Sequence, residues 1–130
     1  MSQPLIVTAA IIRKDNHILL TRRPEGKRGA GKWEFPGGKL NEDESPEDGL
    51  KRELLEELNL PVEIKGIFQV VHHLYDWGPV LLLFYECIPL TEEIKNIEVA
   101  EHLFVPLGKL RHYDILEADR PVIDSLVKSY

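Results

Sequence analysis

The alternation of apolar and polar positions along this chain predicts a protein built largely from strands. Residues 5–13 form a continuous run of aliphatic and β-branched residues, which is typical of a buried strand. Residues 17–22 repeat this composition after the turn-forming pair Asp15 and Asn16. We therefore expect these two segments to pair as a hairpin.

A second hairpin is predicted further along the chain. Its strands are residues 62–73 and 80–88, and residues 76–79 (Asp-Trp-Gly-Pro) supply the turn between them. Shorter strands are expected at residues 33–35 and 104–107. The strand pattern is interrupted once, by a segment whose apolar residues follow a helical period.

Leucines at every fourth position predict that this segment is an amphipathic helix. Leu50, Leu54 and Leu58 share one face, and we expect Leu55 to widen the apolar stripe. Such a helix buries its leucines against a sheet and leaves its other face open to solvent or to a ligand.

The ends of the central helix are also encoded in the sequence. Ser45 suits the N-cap position, Pro46 suits the first helical position, and Asn59 can adopt the left-handed conformation that ends a helix. Gly49 lies inside the helix at a cost of about 1 kcal/mol relative to alanine, so we expect a close neighbour there.

The order of the elements indicates an α+β or α/β sandwich. Further helices are predicted at residues 107–112 and 118–128, so strands are punctuated by one central helix and closed by a terminal one. The chain of 130 residues predicts a single domain spanning positions 1–130.

Composition excludes several classes of protein. The net charge of -6 argues against a polymeric nucleic acid or an anionic membrane as partner. Cys87 is the single cysteine, which excludes an internal disulfide and suits a reducing compartment. The amino terminus lacks a signal-peptide pattern, and the apolar run at residues 80–85 is too short to cross a bilayer. We expect a cytoplasmic protein.

Three glutamates on the central helix point to a cation. Glu53, Glu56 and Glu57 lie on one face, because the helix has about 3.6 residues per turn. Each pair of like charges costs roughly 0.7–3 kcal/mol, depending on the effective dielectric constant. A divalent cation such as Mg²⁺, which takes oxygen ligands, would reverse the sign of that energy. A solvated acidic face is the alternative interpretation.

The spacing of these acids favours the cation. Residues 38–60 follow the pattern G-x5-E-x7-R-E-U-x-E-E-x-G-U, where U is a bulky aliphatic residue. The matching positions are Gly38, Glu44, Arg52, Glu53, Leu54, Glu56, Glu57 and Leu60. This segment thereby resembles the Nudix box of the Nudix hydrolases. Asn59 is the departure, at a position where the family has glycine, and asparagine is the next best residue for that backbone conformation.

Other metal sites find little support in the sequence. An EF-hand beginning at Asp43 would place Asp48 where glycine is required and Leu54 where a bidentate glutamate belongs. His72 and His73 are adjacent on a predicted strand, so their side chains point to opposite faces. The lone cysteine is interpreted as a small buried residue.

The resemblance extends beyond the box. Residues 21–24, 33–39 and 118–123 are similar to the corresponding stretches of MutT-type nucleoside triphosphate pyrophosphohydrolases. It implies the Nudix fold, an α/β/α sandwich with a mixed sheet between helices. It also implies Mg²⁺-dependent hydrolysis, with Mn²⁺ as a possible substitute, of a nucleoside triphosphate to monophosphate and pyrophosphate. The cleaning of 8-oxo-dGTP from the nucleotide pool, and hence DNA repair, is the leading function implied.

The same resemblance implies roles for the box residues. Glu53 is implied to be a metal ligand or the general base, and the sequence does not separate the two. Glu44 and Arg52 are implied to brace the box and orient Glu53. Glu98 is the implied distal ligand, with Glu101 as its rival. The implied metal ligands are Gly37 through its carbonyl, Glu53, Glu56, Glu57 and Glu98.

The candidate substrate contacts are not among the matching positions of the box. Arg23 and Lys39 are candidates for the phosphates, and Phe35 either stacks on the base or belongs to the core. Asp119 stands where MutT-type enzymes have an asparagine that reads the oxidised purine. Because a carboxylate only accepts hydrogen bonds unless it is protonated, Asp119 keeps CTP or dCTP open as the substrate.

Several alternatives stay open at this point. Tyr75 and Trp77, at the tip of the second hairpin, either shape the pocket or lie on the surface. Other nucleoside diphosphate derivatives are possible substrates, and the chain is expected to be a monomer or a homodimer. A non-catalytic Nudix-fold binding module is expected to lose box glutamates, whereas this chain keeps Glu44, Glu53, Glu56 and Glu57.

Overall fold

The computed structural model describes residues 3–128 and contains one mixed sheet with two α-helices. The strands are β1 (Leu5–Lys14), β2 (His17–Arg22), β3 (Trp33–Glu34), β4 (Gly37–Lys39), β5 (Val62–Tyr75), β6 (Gly78–Pro89) and β7 (Glu101–Pro106). The α-helices are α1 (Pro46–Leu58) and α2 (Arg120–Lys128), and short 3-10 helices span Leu107–His112 and Glu117–Asp119.

The sheet has the strand order β3-β2-β1-β6-β5, with β4 paired to β1 and β7 paired to β2. Strands β1 and β6 are parallel, and the other pairs are antiparallel. Both predicted hairpins are present, as β1–β2 and β5–β6. The central position of β1 places β4, and with it the start of the box, in the middle of the molecule.

Two apolar cores lie on opposite faces of the sheet, so the predicted α/β/α sandwich is confirmed. On one face α1 packs against β1, β2 and β6, through Leu50, Leu54, Leu58, Ala10, Ile12, Leu19 and Cys87. On the other face α2 packs against β1 and β6, through Val122, Ile123, Leu126, Ala9, Ile11 and Phe84. Burial of Cys87 raises the pKa of its thiol to about 12, which fits the structural role predicted for it.

Helix α1 begins and ends as predicted. Ser45 Oγ accepts a hydrogen bond from the Asp48 N–H at 3.2 Å, and Asn59 has the left-handed φ of 51°. The close neighbour expected at Gly49 is Leu40, whose side chain a Cβ at that position would meet. These caps fix the rotation of α1 and therefore which residues face the sheet.

Some predictions about local structure were wrong. Leu55 is 47% exposed, because it lies about 100° around the helix from Leu54, at the margin of the stripe. The helix predicted at residues 107–112 is present and is a 3-10 helix, whereas the predicted terminal helix divides into a 3-10 turn and α2. Strand β4 was not predicted, since Gly37 and Gly38 carry no strand propensity.

Candidate active site

A cavity of about 560 Å³ opens beside the sheet where β4 meets α1. One side of it, which we call the acidic wall, consists of Glu53, Glu57 and Glu98 with the backbone of Gly37 and Gly38. Another side, the aromatic wall, consists of Phe35, Tyr75, Trp77 and Asp119. Basic residues Arg23, Lys27, Arg28 and Lys39 also line it. Negative and positive groups thus face one enclosed volume.

The missing side chain at Gly38 lets one carboxylate of the acidic wall rest directly on β4. A Cβ at Gly38 would lie 2.5 Å from the carboxyl carbon of Glu53, so any other residue would displace that side chain. The Gly37 N–H donates to Glu57 Oε1 at 3.3 Å. Gly38 therefore permits a close approach between strand and helix, and the resulting cleft holds Glu53 beside Gly38 and Glu57 beside Gly37.

The guanidinium of Arg52 contacts three of the four glutamates of the box. Arg52 donates to Glu44 (2.6 Å from Nη2 to Oε1), to Glu53 Oε1 (3.0 Å) and to Glu56 Oε1 (2.9 Å). It also donates to the Lys39 carbonyl at 3.1 Å, which ties α1 to β4. Glu56 faces solvent more than Glu53 does, since their side chains are 42% and 16% exposed.

The Arg52 contacts leave a strong electrostatic signature. Hydrogen bonds from Arg52, together with the Asn41 N–H, lower the pKa of Glu44 to about 2. The hydrogen bonds that Arg52 donates to Glu44, Glu56 and Glu53 raise the pKa of Arg52. These contacts match the bracing role implied for Glu44 and Arg52, which stays a prediction about the reaction.

The carboxylates that face the cavity lack enough positive charge. Burial, with the negative charges of Glu34 and Glu53, raises the pKa of Glu57 to about 8. Burial also raises the pKa of Glu53, and the charges of Glu56 and Glu98 add to this against the opposing effect of Arg52. A divalent cation bound beside Glu53 and Glu57 would lower the pKa of both carboxyl groups.

The loop before β7 brings Glu98 to the acidic wall. The N–H groups of Ile97 and Glu98 both donate to the Glu57 carbonyl, at 2.9 and 3.2 Å, and so cap the C-terminus of α1. Glu101 instead pairs with Arg22 at 3.2 Å, where β7 meets β2. Of the two rivals, Glu98 is the one that lines the cavity.

The aromatic wall surrounds a buried carboxyl. Asp119 is 3% exposed, and its Oδ2 accepts from the Phe35 N–H at 3.0 Å. Burial, together with the charge of Glu34, raises the pKa of Asp119 to about 8. The Phe35 ring is 2% exposed and packs edge-on against Phe84, so Phe35 belongs to the core as well as to the cavity lining.

The hairpin tip supplies the outer part of the aromatic wall. Tyr75 and Trp77 stack with 5.3 Å between ring centroids, and the Arg28 guanidinium lies 4.3 Å from the Trp77 ring centroid. The Tyr75 hydroxyl accepts from the Ala118 N–H at 3.3 Å, beside Asp119. Tyr75 and Trp77 both line the cavity, and Trp77 is also 44% exposed at its outer rim.

Comparison with known proteins identifies the family. The NUDIX domain model matches residues 3–126. This chain belongs to the NUDIX family. It is 42% identical over 124 residues to the CTP pyrophosphohydrolase of Escherichia coli (strain K12), covering 93% of this chain and 90% of that protein. It is 34% identical over 123 residues to the 8-oxo-dGTP diphosphatase of the same strain, covering 94% and 95%.

The fold agrees with that assignment. The crystal structure of the MutT protein from Methanosarcina mazei Go1 superposes with a TM-score of 0.87 at 29% identity, covering 99% of this chain and 97% of that one. The solution structure of the Escherichia coli ORF135 protein gives 0.79 at 27% identity, covering 97% and 90%. The chain is a Nudix hydrolase, and its fold is that of MutT-like members of the family.

Nudix hydrolases generally need a divalent cation, and the donor chemistry of the acidic wall fits one. Glu53, Glu57 and Glu98 offer only oxygen atoms, as hard cations prefer. In the described part of the chain, no group of three His, Cys, Asp or Glu side chains is already arranged to hold an ion. Arg52 accounts for part of this, because its Nη1 lies within 3.0 Å of both Glu53 and Glu56.

Phosphate contacts are available on the basic side of the Nudix cleft. Lys39 lines the cavity next to Gly38, where the predicted phosphate contact would be made. Arg23 also lines it, but its guanidinium holds both oxygens of Glu34, at 2.9 and 3.2 Å.

Within residues 3–128, no helix has the length and apolar composition needed to cross a bilayer.

Sequence reasoning missed Glu34 and Arg28 as cavity residues. Glu34 belongs to the run of residues 33–39 that resembles the family, and its charge raises the pKa of both Glu57 and Asp119. That run was a usable signal. No sequence pattern pointed to Arg28, because it reaches Trp77 only through the packing of residues 24–32 over the hairpin tip.

Proposed function

We propose that this Nudix hydrolase cleaves a nucleoside triphosphate to the monophosphate and pyrophosphate, with Mg²⁺, or Mn²⁺ in its place, as the cation. The supporting observation is the position of Glu53 and Glu57, which rest on Gly38 and Gly37 inside a cavity that also carries Lys39. We further propose that positions 1–130 form one domain, active in the cytoplasm.

The proposed ligands are the carboxylates of Glu53, Glu56, Glu57 and Glu98 and the Gly37 carbonyl. When bound there, a divalent cation neutralises phosphate charge and lowers the pKa of a coordinated water. Glu53 either binds this cation or takes the proton of the attacking water. Arg52 orients Glu53 and Glu56 for these tasks, and Glu44 holds Arg52 in place.

The residues of the chain supply positioning as well as charge. Lys39 contacts the phosphates from its position next to Gly38, and Arg23 contacts them once it releases one oxygen of Glu34. Tyr75 and Trp77 offer stacked rings that cover the outer part of the base site, whereas Phe35 offers only the edge of a core ring. A substrate held between the two walls is thereby aligned for attack by water.

Asp119 is the proposed reader of the base, and 8-oxo-dGTP is the proposed first substrate. With its pKa raised to about 8, Asp119 is largely protonated near neutral pH. A protonated carboxyl both donates and accepts, as the asparagine of MutT-type enzymes does. Asp119 can therefore accept from the N7–H of 8-oxoguanine and donate to its O6.

CTP or dCTP is the second candidate. It is supported by the 42% identity to a CTP pyrophosphohydrolase, and an ionised Asp119 would accept from the exocyclic amine of cytosine. Other nucleoside diphosphate derivatives come third. A non-catalytic binding module of the same fold, the alternative from another class, predicts binding without turnover.

Product analysis across a nucleotide panel tests the proposal. The protein is incubated with 8-oxo-dGTP, dGTP, CTP, dCTP and a nucleoside diphosphate sugar, with Mg²⁺ or with EDTA, and products are separated by ion-exchange chromatography. We expect monophosphate and pyrophosphate in equal amounts, from a triphosphate, and only with the cation. Release of orthophosphate, or no turnover of any nucleotide by folded protein, would contradict it.

A further inference from the structure

Thr8 carries a buried hydroxyl with an unmet hydrogen bond. The residue lies in β1, lines the cavity and is 0% exposed, and its Oγ1 has no hydrogen-bond partner among the described residues. Buried polar groups are normally paired, so an unpaired one at a functional site needs an explanation. The packing here does not require a hydroxyl, since valine has the same shape.

The strand pattern shows which way Thr8 points. Ala10 and Ile12 of β1 pack with the leucines of α1, and residues two apart in a strand share a face. The side chain of Thr8 therefore points to the α1 side of the sheet. Thr8 is also paired with Gly38 of β4, and directly paired residues point to the same face.

The carboxyl group of Glu53 occupies the space that a side chain at Gly38 would fill. A Cβ on Gly38 would lie 2.5 Å from both the Cδ and the Oε2 of Glu53. The cross-strand neighbour of Thr8 on this face is thus the Glu53 carboxylate rather than a side chain of β4. The absence of a Cβ at Gly38 brings the hydroxyl and the carboxylate together.

The two oxygens of Glu53 differ in their partners. Oε1 accepts from Arg52 Nη1 at 3.0 Å, whereas none of the hydrogen bonds in the described residues ends on Oε2. A donor without an acceptor and an acceptor without a donor therefore lie on the same face of the sheet, over the same glycine. The Cβ positions of directly paired residues in neighbouring strands lie about 4.5–5.5 Å apart, which brings the Thr8 hydroxyl within reach of the Glu53 carboxylate.

We propose that Thr8 is a positioning residue for Glu53, whose Oε2 accepts a hydrogen bond from the Thr8 hydroxyl in the working enzyme. With Arg52 on Oε1 and Thr8 on Oε2, the carboxylate is held from both sides in the orientation that the reaction uses. This inference rests on the proposed role of Glu53 in hydrolysis. It assigns a task to β1, which the box motif does not include.

Two substitutions separate the hydroxyl from the shape of Thr8. Thr8→Val keeps the shape and removes the donor, and Thr8→Ser keeps the donor. We expect Thr8→Val to lower kcat by about tenfold or more with KM within about twofold, since groups that orient ligands have effects of this size. Thr8→Ser is expected to retain kcat within about threefold. Equal loss in both variants, or loss in neither, would overturn the proposal.

Folding of the valine variant is checked by circular dichroism and urea unfolding. We expect it to be as stable as the parent chain or more so, because it no longer buries an unpaired hydroxyl. If Thr8→Val does not fold, Thr8→Ala is compared with Thr8→Ser in its place and the same kcat difference is expected. An alanine variant with the parent kcat would overturn the proposal.

Mn²⁺ binding gives a readout without turnover. Calorimetric titration with Mn²⁺ alone is carried out on the parent, Thr8→Val, Glu53→Gln and the double variant. We expect Thr8→Val to weaken binding about tenfold in the parent background and within about twofold in the Glu53→Gln background, because the two residues act as one unit. Equal weakening in both backgrounds would overturn the proposal. Coupling without turnover of any nucleotide would uphold it while refuting the proposed function.

Discussion

The acidic wall and the aromatic wall of the same cavity are built in opposite ways. Glu53 and Glu57 project from one helix onto the adjacent glycines of β4, so the acidic wall is largely local in sequence. The aromatic wall joins Phe35, the hairpin tip at Tyr75 and the carboxyl of Asp119, which are far apart in the chain. One wall depends on a short motif, and the other depends on the whole sheet.

The two walls also differ in how they tolerate buried acids. Arg52 supplies one positive charge to Glu44, Glu53 and Glu56, whereas in the acidic wall burial, together with neighbouring negative charges, raises the pKa of Glu57 and Glu53. In the aromatic wall no cation touches Asp119 at hydrogen-bond distance in the described residues, and the group keeps its proton instead. The first arrangement favours binding a cation, whereas the second favours reading hydrogen bonds of a base.

Removing the charge of Glu53 is expected to have the largest effect. Glu53→Gln should lower kcat by about a thousandfold, as loss of a ligand or general base does, with the fold intact because glutamine keeps the shape. Steady-state kinetics and urea unfolding measure the two effects. Glu63→Gln, an exposed residue paired with Lys65, is the matched control and should match the parent. Near-normal kcat in Glu53→Gln would remove Glu53 from the mechanism.

Two variants test whether Glu98 or Glu101 is the distal metal ligand. Glu98 lies in the loop before β7, and Glu101 is the first residue of β7. Glu98→Gln should raise the half-saturating Mg²⁺ concentration about tenfold, whereas Glu101→Gln should change it within about twofold. The reason is that Glu98 lines the acidic wall and Glu101 is paired with Arg22. Titration of the hydrolysis rate with Mg²⁺ gives both values. The reverse order would assign the ligand to Glu101.

The contrast between the walls explains how much the sequence alone could predict. The leucine repeat, the caps at Ser45 and Asn59 and the spacing of Glu53 from Gly38 are local patterns, and each is confirmed in the structure. Both hairpins are likewise set by runs of apolar residues and turns. These features predicted an α+β or α/β sandwich with three glutamates on one face of the helix, and the resemblance to the Nudix family implied the remaining residues of the acidic wall.

What the sequence did not show depends on contacts between distant segments. The stacking of Trp77 on Tyr75, the position of Arg28 over Trp77 and the unpaired hydroxyl of Thr8 follow from strand pairing and loop packing. Leu55 was misplaced because a leucine beside the stripe has the same hydrophobicity as one within it. Long-range geometry, rather than composition, decided each of these cases.

Substitution of Asp119 tests the aromatic wall at its centre. Asp119→Asn fixes a donor and an acceptor at this site, so it should raise the ratio of 8-oxo-dGTP to dCTP turnover by about tenfold, equivalent to about 1.4 kcal/mol. Values of kcat/KM for both nucleotides measure the ratio. A ratio that does not move would show that Asp119 does not read the base.

The pH dependence of the stability of Asp119→Asn tests whether the Asp119 carboxyl is protonated in the folded chain. The pKa of Asp119 is about 8 in the folded chain and near 3.8 when unfolded. The protonated form therefore stabilises the fold below pH 4, and this contribution is lost as the pH rises towards 8. Asp119→Asn should gain in melting temperature over the parent across this range, most at pH 8. A difference independent of pH would contradict the burial of a neutral carboxyl.

The smallest effect is expected where the aromatic wall is closed from outside. Arg28 lies over the Trp77 ring and also presents its carbonyl to Arg23 at 2.7 Å, so residues 24–32 are held against the hairpin tip. A cation–π contact at such a site contributes about 0.5–1 kcal/mol. Arg28→Ala should therefore raise KM about two- to fivefold and leave kcat unchanged.

The choice of control makes that last comparison specific. Arg28→Lys keeps a cation for the Trp77 ring and should stay within about twofold of the parent KM. If the lysine variant loses as much as the alanine variant, the planar guanidinium rather than the cation–π contact holds the loop. If kcat falls while KM rises, Arg28 acts on the reaction itself. The aromatic wall would then contribute to the reaction and not to substrate binding alone.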